Sequence, residues 1–163
     1  MLANSTVLLI RHAEKPDKGK GLSPMGQARA EGYAAYFPSL PLHPQGHYDH
    51  LYASEDSEKS HRPKLTLKPL AHALGDMHIE TPYLDKDYCK LAEDLLEPSS
   101  HHSNENILIC WHHGEILHLA NLLLKKSPPP GWPTTWPGDV FGWLLWISYD
   151  ANENPTSATT VYM

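Results

Sequence analysis

A chain of 163 residues with 40% hydrophobic content suits a single folded domain over residues 1–163 with a sizeable core, and excludes a disordered polymer. The net charge of −6 and the lack of any basic stripe argue against nucleic acid as a partner, although a few converging cations would still accommodate a small anion. No apolar run approaches the roughly 20 residues of a membrane span, and no basic segment followed by an apolar stretch and cleavage site opens the chain. The expectation is therefore a cytoplasmic protein with no membrane partner and an oligomeric state left open.

Val7-Leu8-Leu9-Ile10 is a continuous apolar run, the pattern of a strand buried on both faces, and it ends at Arg11-His12. A polar loop leads to Ser23-Pro24, a helix start with Ser as N-cap and Pro in the first turn; the helix runs to about Phe37. His50 to Ser54 reads as a second strand, Pro63 to Leu74 as a second helix stopped by Gly75, and Asp87 to Leu96 as a third. His101-His102 fall in an exposed polar loop. Ile107 to Trp111 is the second fully apolar run, ending at His112-His113-Gly114, and Ile116 to Leu124 is an apolar helix. A Pro- and Trp-rich loop follows from Ser127 to Gly138. Phe141 to Tyr149 and Thr159 to Tyr162 read as a terminal hairpin. Cys89 and Cys110 have no metal or disulfide spacing, and Cys110 in its apolar run behaves as a small buried residue.

Strands alternating with helices predict a three-layer α/β/α sandwich around a mostly parallel sheet. Ligands in such sheets bind beyond the carboxyl ends of the strands. If the two apolar runs are neighbours, Arg11-His12 and His112-His113 share one crevice. Arginine is scarce, at Arg11, Arg29 and Arg62 only. Guanidinium groups suit tetrahedral oxyanions, and a neutral imidazole beside them is a competent nucleophile for phosphorus. Phosphoryl transfer needs mainly such positioning and charge.

The sequence resembles the histidine phosphatase superfamily, which includes the cofactor-dependent phosphoglycerate mutases. The resemblance rests on Leu8-Leu9-Ile10-Arg11-His12-Ala13-Glu14-Lys15-Pro16, on Leu22-Ser23-Pro24-Met25-Gly26-Gln27-Ala28, on Ser54 with Ser60-His61-Arg62-Pro63 and Thr66, and on Ile109-Cys110-Trp111-His112-His113-Gly114. These blocks occur in order over residues 7 to about 125. The resemblance implies a phosphoglycerate mutase-like fold and a phosphomonoesterase with His12 as the phosphorylated nucleophile. Arg11 and Arg62 would bind phosphoryl oxygens, and His113, whose position directly before glycine fits the motif, would be the second pocket histidine. Lys15 and Ser23 are further candidates for phosphate contact, and His112 reads as structural or orienting. The family needs no metal or organic cofactor for hydrolysis; the partner would be a small phosphorylated substrate.

Relatives also supply a carboxylate to protonate the leaving oxygen. Here Glu14 and Asp87 are candidate acids, with Asp85 and Glu115 as rivals, and none stands in a recognisable motif. The stretch between Arg62 and the second histidine block is too short for a mutase insertion, which favours a small phosphatase. A catalytically weak phosphate-binding or regulatory module and a phosphotransferase or mutase remain the alternatives. His112, His113 and His118 lack the spacing of a helical zinc pair, and the serine-hydrolase elbow is missing. Trp132 and Trp136 either form a rim that selects the leaving group or pack on the protein's own edge.

Overall fold

The computed structural model describes all 163 residues. The strands are β1 (Thr6–Arg11), β2 (His50–Ala53), β3 (Ile79–Glu80), β4 (Asn106–Trp111), β5 (Trp143–Tyr149) and β6 (Pro155–Tyr162); the helices are α1 (Pro24–Tyr36), α2 (Arg62–Ala73), α3 (Tyr88–Leu96) and α4 (Ile116–Leu124). They build one six-stranded sheet in the order β3-β2-β4-β1-β5-β6. The neighbours β3, β2, β4 and β1 run parallel, while β5 and β6 close the far edge as an antiparallel hairpin.

The two apolar runs pair directly, Val7 with Ile107 through Ile10 with Cys110. Strand alternation sends their side chains to opposite faces. Leu8, Ile10, Leu108 and Cys110 pack with Tyr33 of α1 and with Leu67 and Leu70 of α2. Val7, Leu9, Ile107 and Ile109 pack with Leu91 and Leu95 of α3 and with Leu119 and Leu123 of α4. The result is an α/β/α sandwich with two apolar cores, as the alternation of elements predicts. No helix is long and apolar enough to cross a membrane.

Local chemistry sets the boundaries. The Ser23 side chain accepts from Gly26 N at 3.0 Å and caps α1. Gly26 is required by close approach, since a Cβ there would sit 2.3 Å from Glu14 O. β3 has only two residues, too few for an alternating pattern, and no run in the sequence predicts it. β5 begins at Trp143 rather than Phe141, because Phe141 turns towards Arg11. β6 begins at Pro155, four residues earlier than the Thr159 start expected from the sequence.

Candidate active site

The β1–β4 register places Arg11 opposite Trp111, so His12 and His112 are the next residues on adjacent parallel strands. His12 N donates to Trp111 O at 3.0 Å, which extends the ladder by one bond and fixes both histidines at the carboxyl edge. Their rings stand edge to face, with centroids 5.0 Å apart. His12 is buried, and its Nδ1 lies 2.7 Å from Ala13 O. A carbonyl only accepts, so Nδ1 carries the proton and Nε2 the lone pair. Ala13 is itself clamped: its N–H donates to Thr66 Oγ1 at 2.8 Å, and that hydroxyl donates to Arg62 O at 2.7 Å. The loop after β1 is thereby tied to the start of α2.

Both arginines flank this pair. Arg11 is buried over the face of Phe141, its guanidinium carbon 3.9 Å from the ring centroid, and Nη1 donates to Gly138 O and Val140 O at 2.8 Å each. Arg11 Nε is buried without a hydrogen-bond partner. Arg62 Nε donates to Gly21 O at 2.8 Å, and its Nη2 to Gly19 O. Each guanidinium thus braces a loop over the crevice, the 137–141 segment for Arg11 and the 19–21 segment for Arg62.

Burial pushes His12 down to about 3, with His112, Arg11 and Arg62 adding to the depression against the opposing hydrogen bond to Ala13. His112 falls to about 4, first through burial and then through Arg62, His113 and Arg11. Both are neutral imidazoles at neutral pH. Arg11 is lowered to about 10, mainly by burial, and stays charged.

One carboxylate is tuned in the opposite direction. Burial and the neighbouring Glu115 raise Asp85 to about 6, opposed by a hydrogen bond from the His112 backbone. Asp85 O also accepts from Trp111 Nε1 at 3.0 Å, which anchors the residue beside the end of β4. Asp85 Oδ1 is buried without a partner.

The other sequence candidates are placed differently. His113 sits at the rim with its Nε2 facing Gly138, and its pKa is lowered first by partial burial and then by Arg11 and Lys15; His112, not His113, faces His12. The physical reason is register: the residue one step past Trp111 continues the ladder position of His12, and the residue two steps past leaves it. Glu14 is held by Arg29, whose Nε reaches its two oxygens at 2.8 and 3.0 Å and whose Nη2 lies 2.7 Å from Oε1. Asp87 faces Lys90 at 3.2 Å. Lys15 is exposed, and the Ser23 hydroxyl is engaged as the α1 cap. Trp132 and Trp136 are both buried in the α3/α4-side core, with Nε1 atoms donating to Asn121 Oδ1 and Val140 O. The aromatic wall of the crevice is instead Phe141, whose ring centroid lies 6.2 Å from that of His12. The largest cavity, about 620 Å³ between Lys64, Lys68, His72 and Met77, lies on the outer flank of α2 and contains none of these groups. Chemistry rather than volume marks the His12 crevice.

No protein-family model matches the sequence, and no curated protein matches it. Solved structures do. A phosphoglycerate mutase from Plasmodium falciparum superposes with a TM-score of 0.62 at 16% identity, covering 99% of this chain and 91% of that one. A mycobacterial glucosyl-3-phosphoglycerate phosphatase gives 0.59 at 15% identity, covering 96% and 97%. The protein histidine phosphatase SixA, complexed with tungstate, gives 0.57 at 15% identity, covering 96% of each chain. Superposition over more than nine-tenths of both chains shows that this chain has the phosphoglycerate mutase-like fold of the histidine phosphatases.

Proposed function

We propose that the protein is a phosphatase that moves the phosphoryl group of a small phosphate monoester to Nε2 of His12 and then to water, with no metal in the chemistry. The observation that carries this reading is the pair of neutral imidazoles, His12 and His112, facing each other 5.0 Å apart between two arginines at the carboxyl edge of adjacent parallel strands.

In the first step the Nε2 lone pair forms a bond to phosphorus while the ester P–O bond breaks. The Nδ1–H, held on Ala13 O, keeps the lone pair aimed and supports the positive charge that develops on the ring. Arg11 Nε, Arg62 and His112 supply donors where phosphoryl charge develops. Among the carboxylates, Asp85 fits the leaving-group acid. It is protonated over a useful range near pH 6, and it lies beside His112 rather than in a committed ion pair. Its proton goes to the departing oxygen. In the second step water attacks the phosphohistidine, the Asp85 carboxylate takes the water's proton, and the P–N bond breaks. His113 and Lys15, both exposed at the rim, would contact the rest of a substrate.

Two of the structural neighbours carry phosphatase names and one holds tungstate, a tetrahedral oxyanion, which supports an oxyanion pocket in this fold. The test is to incubate the protein with labelled aryl phosphate, quench it in alkali, and look for an acid-labile phosphoprotein. The expected result is labelling lost in His12→Ala and retained in His72→Ala, which alters an exposed histidine on α2. Tungstate binding without turnover or label would instead identify a phosphate-binding module.

A further inference from the structure

We propose that His50, His102 and Glu105 form a site for a divalent transition-metal ion of the zinc type, at the edge of the sheet opposite the catalytic crevice. The inference is independent of the phosphatase reading. His50 opens β2, Glu105 immediately precedes β4, and His102 lies in the loop before it. β2 and β4 pair in parallel with His50 opposite Ile107, so their starts adjoin. His112 follows the other end of β4, six residues and about 20 Å away at roughly 3.3 Å per residue.

One ligand atom from each of the three residues lies within 4.8 Å of the others. Glu105 Oε2 is 3.3 Å from His50 Nε2 and 2.7 Å from His102 Nδ1. Tetrahedral zinc with bonds of about 2.0–2.1 Å separates neighbouring ligand atoms by roughly 3.3 Å. The His50–Glu105 edge of that tetrahedron is already present, the His102–Glu105 edge opens by about 0.6 Å through rotation of an imidazole, and the His50–His102 edge lies within the 4.8 Å that bounds the set.

The surroundings of His50 are those of a metal ligand. Its Nδ1 lies 2.6 Å from Glu80 Oε2, and a carboxylate accepts, so Nδ1–H is donated there and Nε2, 3.3 Å from Glu105 Oε2, is the nitrogen a metal would take. A carboxylate behind a histidine is the usual second layer around a metal, fixing tautomer and ring orientation. Tyr52 stacks on the His50 ring with an interplanar angle of 17°, and His102 meets it edge-on at 4.9 Å. All three ligands are half-buried, so the ring orientations are set by packing. Two imidazoles and one carboxylate favour zinc and its neighbours over calcium or magnesium, which take oxygen ligands. A bound ion would join the starts of β2 and β4 to the loop between α3 and β4.

Untagged, chelator-treated protein titrated with Zn²⁺ alone in a calorimeter tests this. The expected result is one tight equivalent, with Tm raised by about 5–10 °C when free zinc is roughly 100-fold above Kd. His102→Ala and Glu105→Gln should lose that equivalent or weaken it at least tenfold. Glu80→Gln should weaken it by about 10–100-fold. His72→Ala, an exposed pair with Asp76 elsewhere, should leave it unchanged. Circular dichroism verifies the fold of each variant. Cobalt(II) gives a reading on the unmutated protein through the intense visible absorption of a tetrahedral site. No saturable equivalent, equal zinc binding in His102→Ala and Glu105→Gln, or no cobalt absorption overturns the site and leaves an ordinary ion-pair cluster.

Discussion

Replacing Asp85 with Asn tests the leaving-group assignment and the electrostatics behind it together. A positioned general acid contributes about 10²–10⁴ in rate when the leaving group is a poor one. An alkyl phosphate should therefore lose about that much in Asp85→Asn, whereas a nitrophenyl phosphate, whose phenolate departs unaided, should lose less than about tenfold. The pH profile provides a second reading. With Asp85 at about 6, kcat/KM for an alkyl phosphate should fall about tenfold per pH unit above that value in the parent and be flat there in the variant.

Stability should move the other way from activity. The folded protein holds the Asp85 proton more tightly than the unfolded chain, so its stability declines as pH rises from about 4 to about 6 and the penalty is complete above that range. A rise from 3.8 to about 6 corresponds to about 3 kcal/mol at full weight, and to about 1–2 kcal/mol once the partial solvent contact of Asp85 is allowed for. Asp85→Asn should thus be more stable by about that amount at pH 7.5 and gain little at pH 4. Glu14→Gln is the counterpart. It breaks the two-pronged pair with Arg29 and should cost about 1–3 kcal/mol of stability while leaving the leaving-group dependence intact. If Asp85→Asn hydrolyses alkyl phosphates within about threefold of the parent, or Glu14→Gln in its folded form takes the larger, leaving-group-dependent loss, the assignment is wrong.

Gly26→Ala should destabilise by about 1 kcal/mol or more, against the usual gain of about 1 kcal/mol for alanine in a helix, because its Cβ meets Glu14 O at 2.3 Å; a denaturant midpoint decides the sign. Phe141→Ala removes the ring beneath Arg11 and should weaken tungstate inhibition several-fold, matching a cation–π contact of about 0.5–2 kcal/mol, with a smaller effect on the phosphoenzyme's hydrolysis. His12 and His112, held at about 3 and about 4, take up protons near pH 6.5 only once unfolded. Their contribution should be full above about 6.5 and decline as pH falls towards 4, and it reads cleanly in Asp85→Asn, where the opposing Asp85 proton is absent; a Tm that is level across that interval in this variant counts against two neutral buried histidines.

The elements that pair in the interior were readable because burial leaves a pattern. Val7–Ile10 and Ile107–Trp111 are apolar without alternation, which only a strand covered on both faces tolerates, and they are the two central neighbours. Ser23-Pro24 announced α1 because an N-cap is local chemistry. β3 left no pattern, since two residues cannot show a period. His102 read as an exposed loop residue, yet it is half-buried against Glu105 and His50. Those three residues meet only through the pairing of β2 with β4, a contact between segments more than fifty positions apart that no local spacing encodes.

The candidate site shows the same limit at the scale of one residue. The family resemblance implies His113 as the second pocket histidine because glycine follows it. The ladder assigns the facing position to His112, because parallel pairing fixes which residue stands beside His12. β4 ends at Trp111, His112 is the next residue and stands beside His12, and His113 already lies in the turn that leads to α4. The proposed acid follows the same logic. Asp85 and Asp87 are equivalent in the sequence, two residues apart on one short 3-10 turn. Only Asp85 has its carboxylate against the His112 backbone, where burial raises it, whereas Asp87 turns towards Lys90. His112→Asn and His113→Asn therefore separate the two accounts. Loss of phosphoenzyme formation in the first, with only a change in KM in the second, follows from the register; the reverse outcome would mean that the strand ends are placed differently from the pairing seen here.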